Sequence, residues 1–203
     1  MSKDYSVEFQ TPPEVCRYMA SLVPGTAVNV LEPTKGIGNI VEALTGFNVI
    51  SPDDYFLLDK SLKFDAVVMN PPFSSKSAVL DNAPPIYANY KGMKFGYRLL
   101  TDCMQKSDVV IALMPWFTIS DSDVRLRFLK SFGMKSLTAL PRKTFEYARI
   151  QTCVMELVKG YQGVTEFKVF DFIDPIPSFK HRLQNKLELD VEVKQNKKNL
   201  MLF

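Results

Sequence analysis

The chain has 203 residues, of which 46% are hydrophobic and 23% are charged, as in an ordinary globular protein. This length fits one α/β domain with a full core and leaves little for a second. A formal net charge of +3 gives only a weak preference for nucleic acid, and one histidine, His181, excludes histidine-based triads and His-rich metal sites.

The sequence carries no sign of secretion, of a membrane span or of a zinc site. Residues 1–10 lack the basic start and apolar run of a secretory signal, and no apolar stretch approaches the ~20 residues that cross a bilayer. The three cysteines lie far apart without a Cys-x-x-Cys pair. Because Cys16 and Cys153 have apolar neighbours, we expect buried free thiols in a reducing, cytoplasmic compartment.

The first predicted element is a helix that begins at Thr11-Pro12-Pro13-Glu14. Thr11 is suited to cap this helix, proline suits the first helical position, and Glu14 completes a capping box. Apolar residues then recur at helical spacing until Pro24-Gly25 ends the helix.

Apolar runs that predict strands alternate with segments of helical spacing along the rest of the chain. The runs at 65–69 and 108–114 are rich in Val and Ile without alternation, as expected for strands covered on both faces. The predicted strands are 27–31, 47–50, 65–69, 108–114, 137–140 and 152–159, and the predicted helices are 40–44, 95–106 and 121–132. In the last helix we expect Val124, Phe128, Leu129 and Phe132 to face the core and Gly133 to end the helix.

This alternation predicts an α/β fold with an open, mostly parallel central sheet flanked by helices. We assign residues 1–172 to this domain, with 164–172 as a candidate edge strand, and residues 173–203 to a basic C-terminal tail or extension. Ligands bind such sheets at the carboxyl ends of the strands. Two motifs follow the strands at 27–31 and 65–69, so we expect a binding site at that edge.

The segment Asn70-Pro71-Pro72-Phe73 follows the strand at 65–69 directly and predicts a rigid turn. Asn70 offers a side-chain carbonyl, and Pro71 offers a backbone carbonyl whose direction the proline rings constrain. Phe73 offers a flat face on which a base can stack. The turn is therefore suited to holding an amino group attached to a planar ring.

A glycine-bearing segment, Glu32-Pro33-Thr34-Lys35-Gly36-Ile37-Gly38, follows the strand at 27–31. Glycines there let the backbone approach a ligand closely, and the next helix presents free N–H groups. The segment lacks the third glycine of a dinucleotide fingerprint and the Lys-Ser/Thr of a P-loop. The Glu32-Pro33 pair favours a different cofactor.

These segments resemble those of the amino-directed, N6-adenine DNA methyltransferases, which use S-adenosylmethionine. Residues 32–38 resemble the cofactor loop of that family, and Asn70-Pro71-Pro72-Phe73 matches its catalytic motif. Phe9-Gln10-Thr11-Pro12-Pro13-Glu14 resembles its N-terminal cofactor motif, and Leu140-Pro141-Arg142-Lys143-Thr144-Phe145 resembles the late segment that helps line the target-base pocket. The resemblance covers residues from about 5 to about 160 and implies a Rossmann-like S-adenosylmethionine-dependent methyltransferase fold.

The resemblance implies a role for each matched residue. Asn70 and the Pro71 carbonyl would accept both hydrogens of the adenine amino group, within the turn that Pro72 completes, and Phe73 would stack on the flipped base. Two acceptors off the ring plane would return the nitrogen lone pair toward the methyl donor, without a metal or a strong base. The residues expected to bind the cofactor are Thr11, Glu32, Pro33, Gly36, Gly38, Asp54, Tyr55 and Asn70.

The spacing between the two motifs departs from the family pattern. Only about thirty residues separate Gly38 from Asn70, which leaves room for one strand where the family has two. Asp54-Tyr55 resembles the acid-aromatic pair that grips the cofactor's adenine. No clear acid for the ribose remains, and Asp53 is the candidate substitute.

Several residues outside the motifs are candidates for contact with the substrate. The stretch at 74–92 is rich in Ser, Pro and Asn, and its mixture of cations and aromatics, including Lys76 and Tyr90, suits a flipped nucleotide or a single strand. Trp116 follows the strand at 108–114 at the same edge of the sheet. Because no separate recognition domain is visible, a partner is a candidate source of sequence specificity.

The leading hypothesis is therefore methyl transfer to N6 of adenine in DNA, in a setting of restriction-modification, replication control or host evasion. The same chemistry on an RNA base or on a protein glutamine amide remains open. So does a different class, a degenerate methyltransferase fold that serves as a binding subunit.

Overall fold

The computed structural model of the protein describes residues 10–73, 81–90, 94–145 and 150–173, and its strands form one seven-stranded sheet. Contacts divide the chain into two units, residues 1–170 and residues 171–203. The sheet belongs to the first unit, and the described part of the second is limited to residues 171–173.

Strands and helices alternate along most of the described chain. The strands are β1 (Asn29–Leu31), β2 (Asn48–Ile50), β3 (Ala66–Met69), β4 (Val109–Pro115), β5 (Met134–Ala139), β6 (Thr152–Val158) and β7 (Glu166–Val169). The helices are α1 (Pro13–Ser21), α2 (Asn39–Ala43), α3 (Lys94–Cys103), α4 (Phe117–Ser120) and α5 (Asp123–Gly133), and single 3-10 turns lie at Tyr55–Leu57 and Pro85–Asn89. No helix in the described ranges is long and apolar enough to cross a bilayer.

The strand order is β2-β1-β3-β4-β6-β5-β7. The pairs β1–β2, β1–β3, β3–β4 and β5–β7 are parallel, whereas β6 runs antiparallel to both β4 and β5. The predicted α/β fold with a mostly parallel sheet is confirmed. The candidate edge strand is also found, as β7.

The centre of the sheet is apolar on both faces. All four residues of β3 are fully buried, and in β4 every residue from Val110 to Pro115 is buried. Continuous burial is what the unbroken Val/Ile runs predicted, because helices cover both faces of parallel strands. The two strand ends beside the candidate site are therefore anchored in the core.

The connection from β1 to β3 contains β2 and the 3-10 turn at Tyr55–Leu57. The short spacing predicted one strand here, and β2 is the strand found, at the edge of the sheet. The segment that follows β2 is thus the available place for the cofactor contacts that the second strand of the family pattern would carry.

The predicted inward face of the 121–132 helix is partly wrong. Val124 and Phe128 are 78% and 42% exposed, whereas Leu129 is fully buried. A short helix, α4, precedes this segment, and the Ser122 hydroxyl caps α5 by accepting a hydrogen bond from the Arg125 N–H. Arg125 then points toward α4, where its guanidinium donates to the Phe117 and Thr118 carbonyls at 2.8 and 3.0 Å, so the inner face runs through Arg125 and Leu129.

Candidate active site

The Asn-Pro-Pro-Phe turn (residues 70–73) lies at the carboxyl end of β3. Pro71 is buried, and Asn70, Pro72 and Phe73 are half-buried. Gly96 in α3 lies against the backbone of this turn: a Cβ added at Gly96 would be 3.1 Å from the Pro72 carbonyl oxygen. Close packing of α3 therefore supports the turn from one side.

The Asn70 side chain is oriented by Thr11. The Asn70 Nδ2 donates to the Thr11 Oγ1 at 3.0 Å, which directs the Oδ1 arm of the amide away from Thr11. The expectation that Thr11 caps α1 is wrong: the N-cap is Pro12, and no side chain caps the helix. Since α1 begins only at Pro13, Thr11 lies before the capping position, and its side chain, which is 3% exposed, contacts Asn70 after the end of β3 instead.

The glycine loop (residues 32–38) begins with a carboxyl group that is fully buried. Glu32 Oε1 accepts from the Thr34 N–H at 3.0 Å and from the Thr34 hydroxyl at 3.2 Å, and Glu32 Oε2 accepts from the Ser51 hydroxyl at 2.9 Å. Burial raises the pKa of Glu32 to about 7, although these hydrogen bonds and the nearby Lys35 oppose the shift. The loop therefore holds an acid poised between its charged and neutral forms near neutral pH.

Thr34 connects this loop to the Asn-Pro-Pro-Phe turn. Its hydroxyl lies 3.2 Å from the Asn70 backbone carbonyl oxygen as well as 3.2 Å from Glu32 Oε1. Ser51 follows β2 directly, so Glu32 also connects the ends of β1 and β2. The carboxyl ends of β1, β2 and β3 are thus joined by one set of hydrogen bonds.

The Gln10 side chain packs against the glycine loop. Its Oε1 accepts from the Ile37 N–H at 3.2 Å, and a Cβ at Gly36, where φ is +55°, would come within 2.6 Å of that oxygen. Asn39, at the start of α2, donates from its Nδ2 to the Thr11 carbonyl at 2.9 Å. Residues 10–11 are thereby held against the loop, and the shared cofactor site of Thr11, Gly36 and Gly38 stays a prediction.

Asp54 and Tyr55 have other partners in this structure. Asp54 Oδ1 accepts from the Phe56 N–H and Asp54 Oδ2 accepts from the Asn82 side chain, both at 2.8 Å. Tyr55 packs against the hydrophobic core, and burial raises the pKa of its hydroxyl. Asp53, the candidate for the ribose, is exposed. Their predicted cofactor contacts remain predictions.

The predicted substrate contacts Trp116 and Tyr90 have different aromatic or cationic neighbours in the described chain. Trp116 is half-buried, and its ring lies edge-on to Phe167 with centroids 6.3 Å apart. The Tyr90 ring lies 5.7 Å from the Arg98 guanidinium carbon. In the late segment, Thr144 and Phe145 are buried. Lys76 falls outside the described residues.

Four residues of this site were not singled out from the sequence: Thr34, Asn39, Ser51 and Gly96. Thr34 and Ser51 follow the ends of β1 and β2, so their position at the ligand-binding edge was the available signal. Gly96 carried no such signal, because its close contact is with a turn more than twenty residues away along the chain. The described residues contain no group of three or more His, Cys, Asp or Glu side chains that could hold a metal ion.

No protein-family model matches the sequence, and no curated protein matches it. Solved structures do match the fold. A type I restriction-modification methyltransferase subunit from Streptococcus thermophilus aligns with a TM-score of 0.60 and 17% identity over 88% of this chain and 52% of its own. A modification subunit assigned to a type I restriction enzyme of Vibrio vulnificus YJ016 aligns with a TM-score of 0.58 and 19% identity over 83% of this chain and 48% of its own.

A third match is a candidate class I S-adenosylmethionine-dependent methyltransferase from Listeria monocytogenes. It aligns with a TM-score of 0.58 and 15% identity over 93% of this chain and 72% of its own. The chain therefore has the S-adenosylmethionine-dependent methyltransferase fold. It spans about half the length of the two type I subunits.

Proposed function

We propose that this protein is an S-adenosylmethionine-dependent methyltransferase that acts on the exocyclic N6 amino group of adenine in DNA. The observation that supports this most strongly is the joining of the glycine loop to the Asn-Pro-Pro-Phe turn. Thr11 and Thr34 reach Asn70 from two sides, at 3.0 and 3.2 Å. A cofactor loop and an amino-binding turn fixed to each other are what a direct transfer between two bound reactants requires.

The residues around the loop fit the cofactor at its methionine end. A fully buried carboxyl at Glu32 suits a neighbouring ammonium group, and Gly36 and Gly38 leave the backbone of the loop without side chains. Thr11, Pro33 and Asn70 complete the wall that we assign to this end. At the adenine end, Asp54 would have to exchange Asn82 for the cofactor's amino group.

The bound cofactor would supply an electrophilic methyl group, and the protein would supply position and two acceptors. Asn70 Oδ1 and the Pro71 carbonyl would each accept one hydrogen of the target amino group. The resulting tetrahedral nitrogen has its lone pair out of conjugation with the ring and aimed at the methyl carbon. Transfer would form the nitrogen–carbon bond as the carbon–sulfur bond of the sulfonium breaks, and the cationic methylated nitrogen would release one proton to solvent, so no strong base is needed. Alignment of the two reactants contributes up to about 7–11 kcal/mol.

The turn also limits what can be methylated. Pro71 and Pro72 fix the backbone direction, and Phe73 offers a face that would stack on a base extruded from its duplex. A flat heterocycle with an exocyclic amino group fits these constraints better than a flexible amide. DNA is the preferred polymer because the sequence motifs resemble those of DNA enzymes, and we assign sequence specificity to a separate partner.

The test is the transfer of a tritiated methyl group from S-adenosylmethionine to DNA, RNA and protein in parallel reactions. Labelled DNA supports the proposal, whereas label found only in RNA or only in protein assigns the same chemistry to another substrate. A second candidate is a binding subunit without activity, which the engagement of both Asp54 oxygens favours. Absence of cofactor binding in calorimetry, together with absence of label, would select it.

A further inference from the structure

The Thr34 hydroxyl faces two acceptors and has one proton to donate. The Glu32 Oε1 and the Asn70 carbonyl oxygen both lie 3.2 Å from Thr34 Oγ1. A hydroxyl donates a single hydrogen bond. Its hydrogen bond is therefore either shared between the two acceptors or made to the stronger one.

The stronger acceptor depends on the charge of Glu32. An ionised carboxylate accepts hydrogen bonds that are roughly twice as strong as those to a neutral carbonyl. When Glu32 is ionised, Thr34 donates to Glu32. When Glu32 is protonated, its own O–H can donate to Thr34 or Ser51, and the Thr34 proton turns to the Asn70 carbonyl.

The second acceptor belongs to the turn that we assign to the target amino group. The Asn70 carbonyl is part of the Asn70–Pro71 peptide, and Pro71 has no N–H with which to anchor that peptide. A donor from Thr34 therefore fixes the first peptide plane of the turn, next to the Pro71 carbonyl. Nothing in the sequence pattern assigns this contact.

We propose that Thr34 is a positioning residue whose hydroxyl donates its hydrogen bond either to Glu32 or to the Asn70 carbonyl. By this switch it couples the glycine loop to the Asn-Pro-Pro-Phe turn. Its consequence for cofactor binding rests on the proposed methyltransferase function, but the coupling itself is a property of the free protein. Binding of a cationic cofactor beside Glu32 favours the ionised acid and changes the hydrogen bonding of the turn. Occupation of one half of the site is thereby transmitted to the other.

Few other charges face Glu32 in the described structure. Lys35 lies on the same loop and favours the ionised form. Cys16 on α1 and Cys103 on α3 interact with Glu32 electrostatically, but burial raises the pKa of Cys16 to about 12 and raises that of Cys103 as well, so both thiols stay neutral. From β2, Ser51 contributes an uncharged hydroxyl. A titration of Glu32 near neutral pH thus reports on Glu32 and Thr34.

The variants are Thr34→Val, which removes the hydroxyl at nearly constant shape, and Thr34→Ser, which retains it. Thr101→Val is the matched control, because the Thr101 hydroxyl donates to the Arg98 carbonyl within α3 at 2.7 Å. Thermal unfolding establishes that each variant is folded. Carbon-13 NMR of glutamate carboxyls then follows Glu32 in the cofactor-free protein, with its signal assigned by its loss in Glu32→Gln.

Removal of a donor to the charged form raises the pKa of a carboxyl group. We expect Thr34→Val to move the Glu32 midpoint upward by about one pH unit, and Thr34→Ser and Thr101→Val to leave it in place. Because a bound cofactor favours ionised Glu32, which takes the Thr34 hydrogen bond, cofactor affinity should fall about fivefold in Thr34→Val, the factor of one ordinary hydrogen bond, and recover in Thr34→Ser.

An unchanged Glu32 midpoint in Thr34→Val overturns the coupling. So does a serine variant that titrates like the valine variant, or an equal displacement in Thr101→Val. If the unmodified protein transfers no methyl group, the proposed function fails, and the NMR titration still decides whether Thr34 couples the two segments.

Discussion

Replacing Gly96 by alanine would displace the Asn-Pro-Pro-Phe turn without replacing any residue that we assign to the reaction. The added Cβ would lie 3.1 Å from the Pro72 carbonyl oxygen, 3.5 Å from a Pro71 ring carbon and 3.6 Å from the Phe73 Cα. Only the first of these contacts is too short for ordinary van der Waals packing. It involves backbone, which cannot rotate away, so the turn or α3 must shift by a few tenths of an ångström.

The magnitude follows from how steeply transfer depends on alignment. A misplacement of about 1 Å can cost roughly 100-fold in rate, so a shift of about 0.3 Å should cost roughly fourfold in kcat. Stability should move the other way or hardly at all, because Gly to Ala within a helix gains about 0.5–1 kcal/mol that offsets the local strain. The variant should therefore be slower at an unchanged or slightly raised melting temperature.

Two assays separate these effects. Methyl transfer at saturating cofactor gives kcat, and thermal unfolding gives stability. Gly25→Ala is the matched control, because nothing lies within 4 Å of an added Cβ at Gly25 and its φ is not positive. A Gly96→Ala protein that transfers at the unmodified rate would refute the view that α3 positions the turn, and equal slowing in Gly25→Ala would point to a general effect of alanine.

Three further substitutions address other contacts of the site. Thr11→Val removes the acceptor for Asn70 Nδ2 and should lower kcat about five- to tenfold at saturating cofactor; an unchanged kcat would mean that Asn70 needs no orientation by Thr11. Burial raises the pKa of Glu32 from its ordinary value of 4.5 to about 7 in the folded protein, so the folded state binds the proton more tightly. Its contribution to the free energy of unfolding is present below pH 4.5 and is lost as pH rises to 7, by about 3 kcal/mol in total. In urea unfolding, the stability of Glu32→Gln relative to the unmodified protein should therefore rise between pH 4.5 and 7, and a constant difference would contradict the assignment. Asp54→Ala should weaken S-adenosylmethionine binding in calorimetry about tenfold, whereas Asn82→Ala, which frees the carboxylate, should not; equal weakening in both would assign Asp54 a structural role.

The fold was largely predictable because the strands of the core depend on local composition. An unbroken apolar run such as 65–69 has to be covered on both faces, and residues Ala66–Met69 are indeed fully buried in β3. The positions of the two motifs followed from the same reasoning, since each comes directly after such a run. Local sequence determines where each strand ends, and the two strands that precede the motifs end at the same edge of the sheet.

The partners within the site were not predictable, because they depend on the order of the strands. From the sequence, the Thr11 hydroxyl could accept a hydrogen bond from the helix N-terminus or from another donor. Its actual donor, Asn70, is 59 residues away. The contact between Thr34 and Asn70 spans 36 residues for the same reason. It exists because β1 and β3 are neighbours in the sheet, although β2 lies between them in sequence.

The error in α5 has a different physical origin. Hydrophobic spacing alone favoured Val124 and Phe128 as core residues. Arg125 satisfies the Phe117 and Thr118 carbonyls of α4, which rotates the helix and leaves the two apolar side chains exposed. A charged side chain that caps a neighbouring helix thus decided the rotation against the apolar pattern.

In the proposed reaction, the Asn70 carboxamide and the Pro71 carbonyl hold an adenine amino group for methylation. Mass spectrometry of nucleosides from DNA incubated with the protein and S-adenosylmethionine tests this most directly, with Asn70→Ala alongside. We predict N6-methyldeoxyadenosine from the unmodified protein and a loss of most of that signal in Asn70→Ala, which should still bind the cofactor in calorimetry. Undiminished N6-methyldeoxyadenosine from the Asn70→Ala protein would contradict the account.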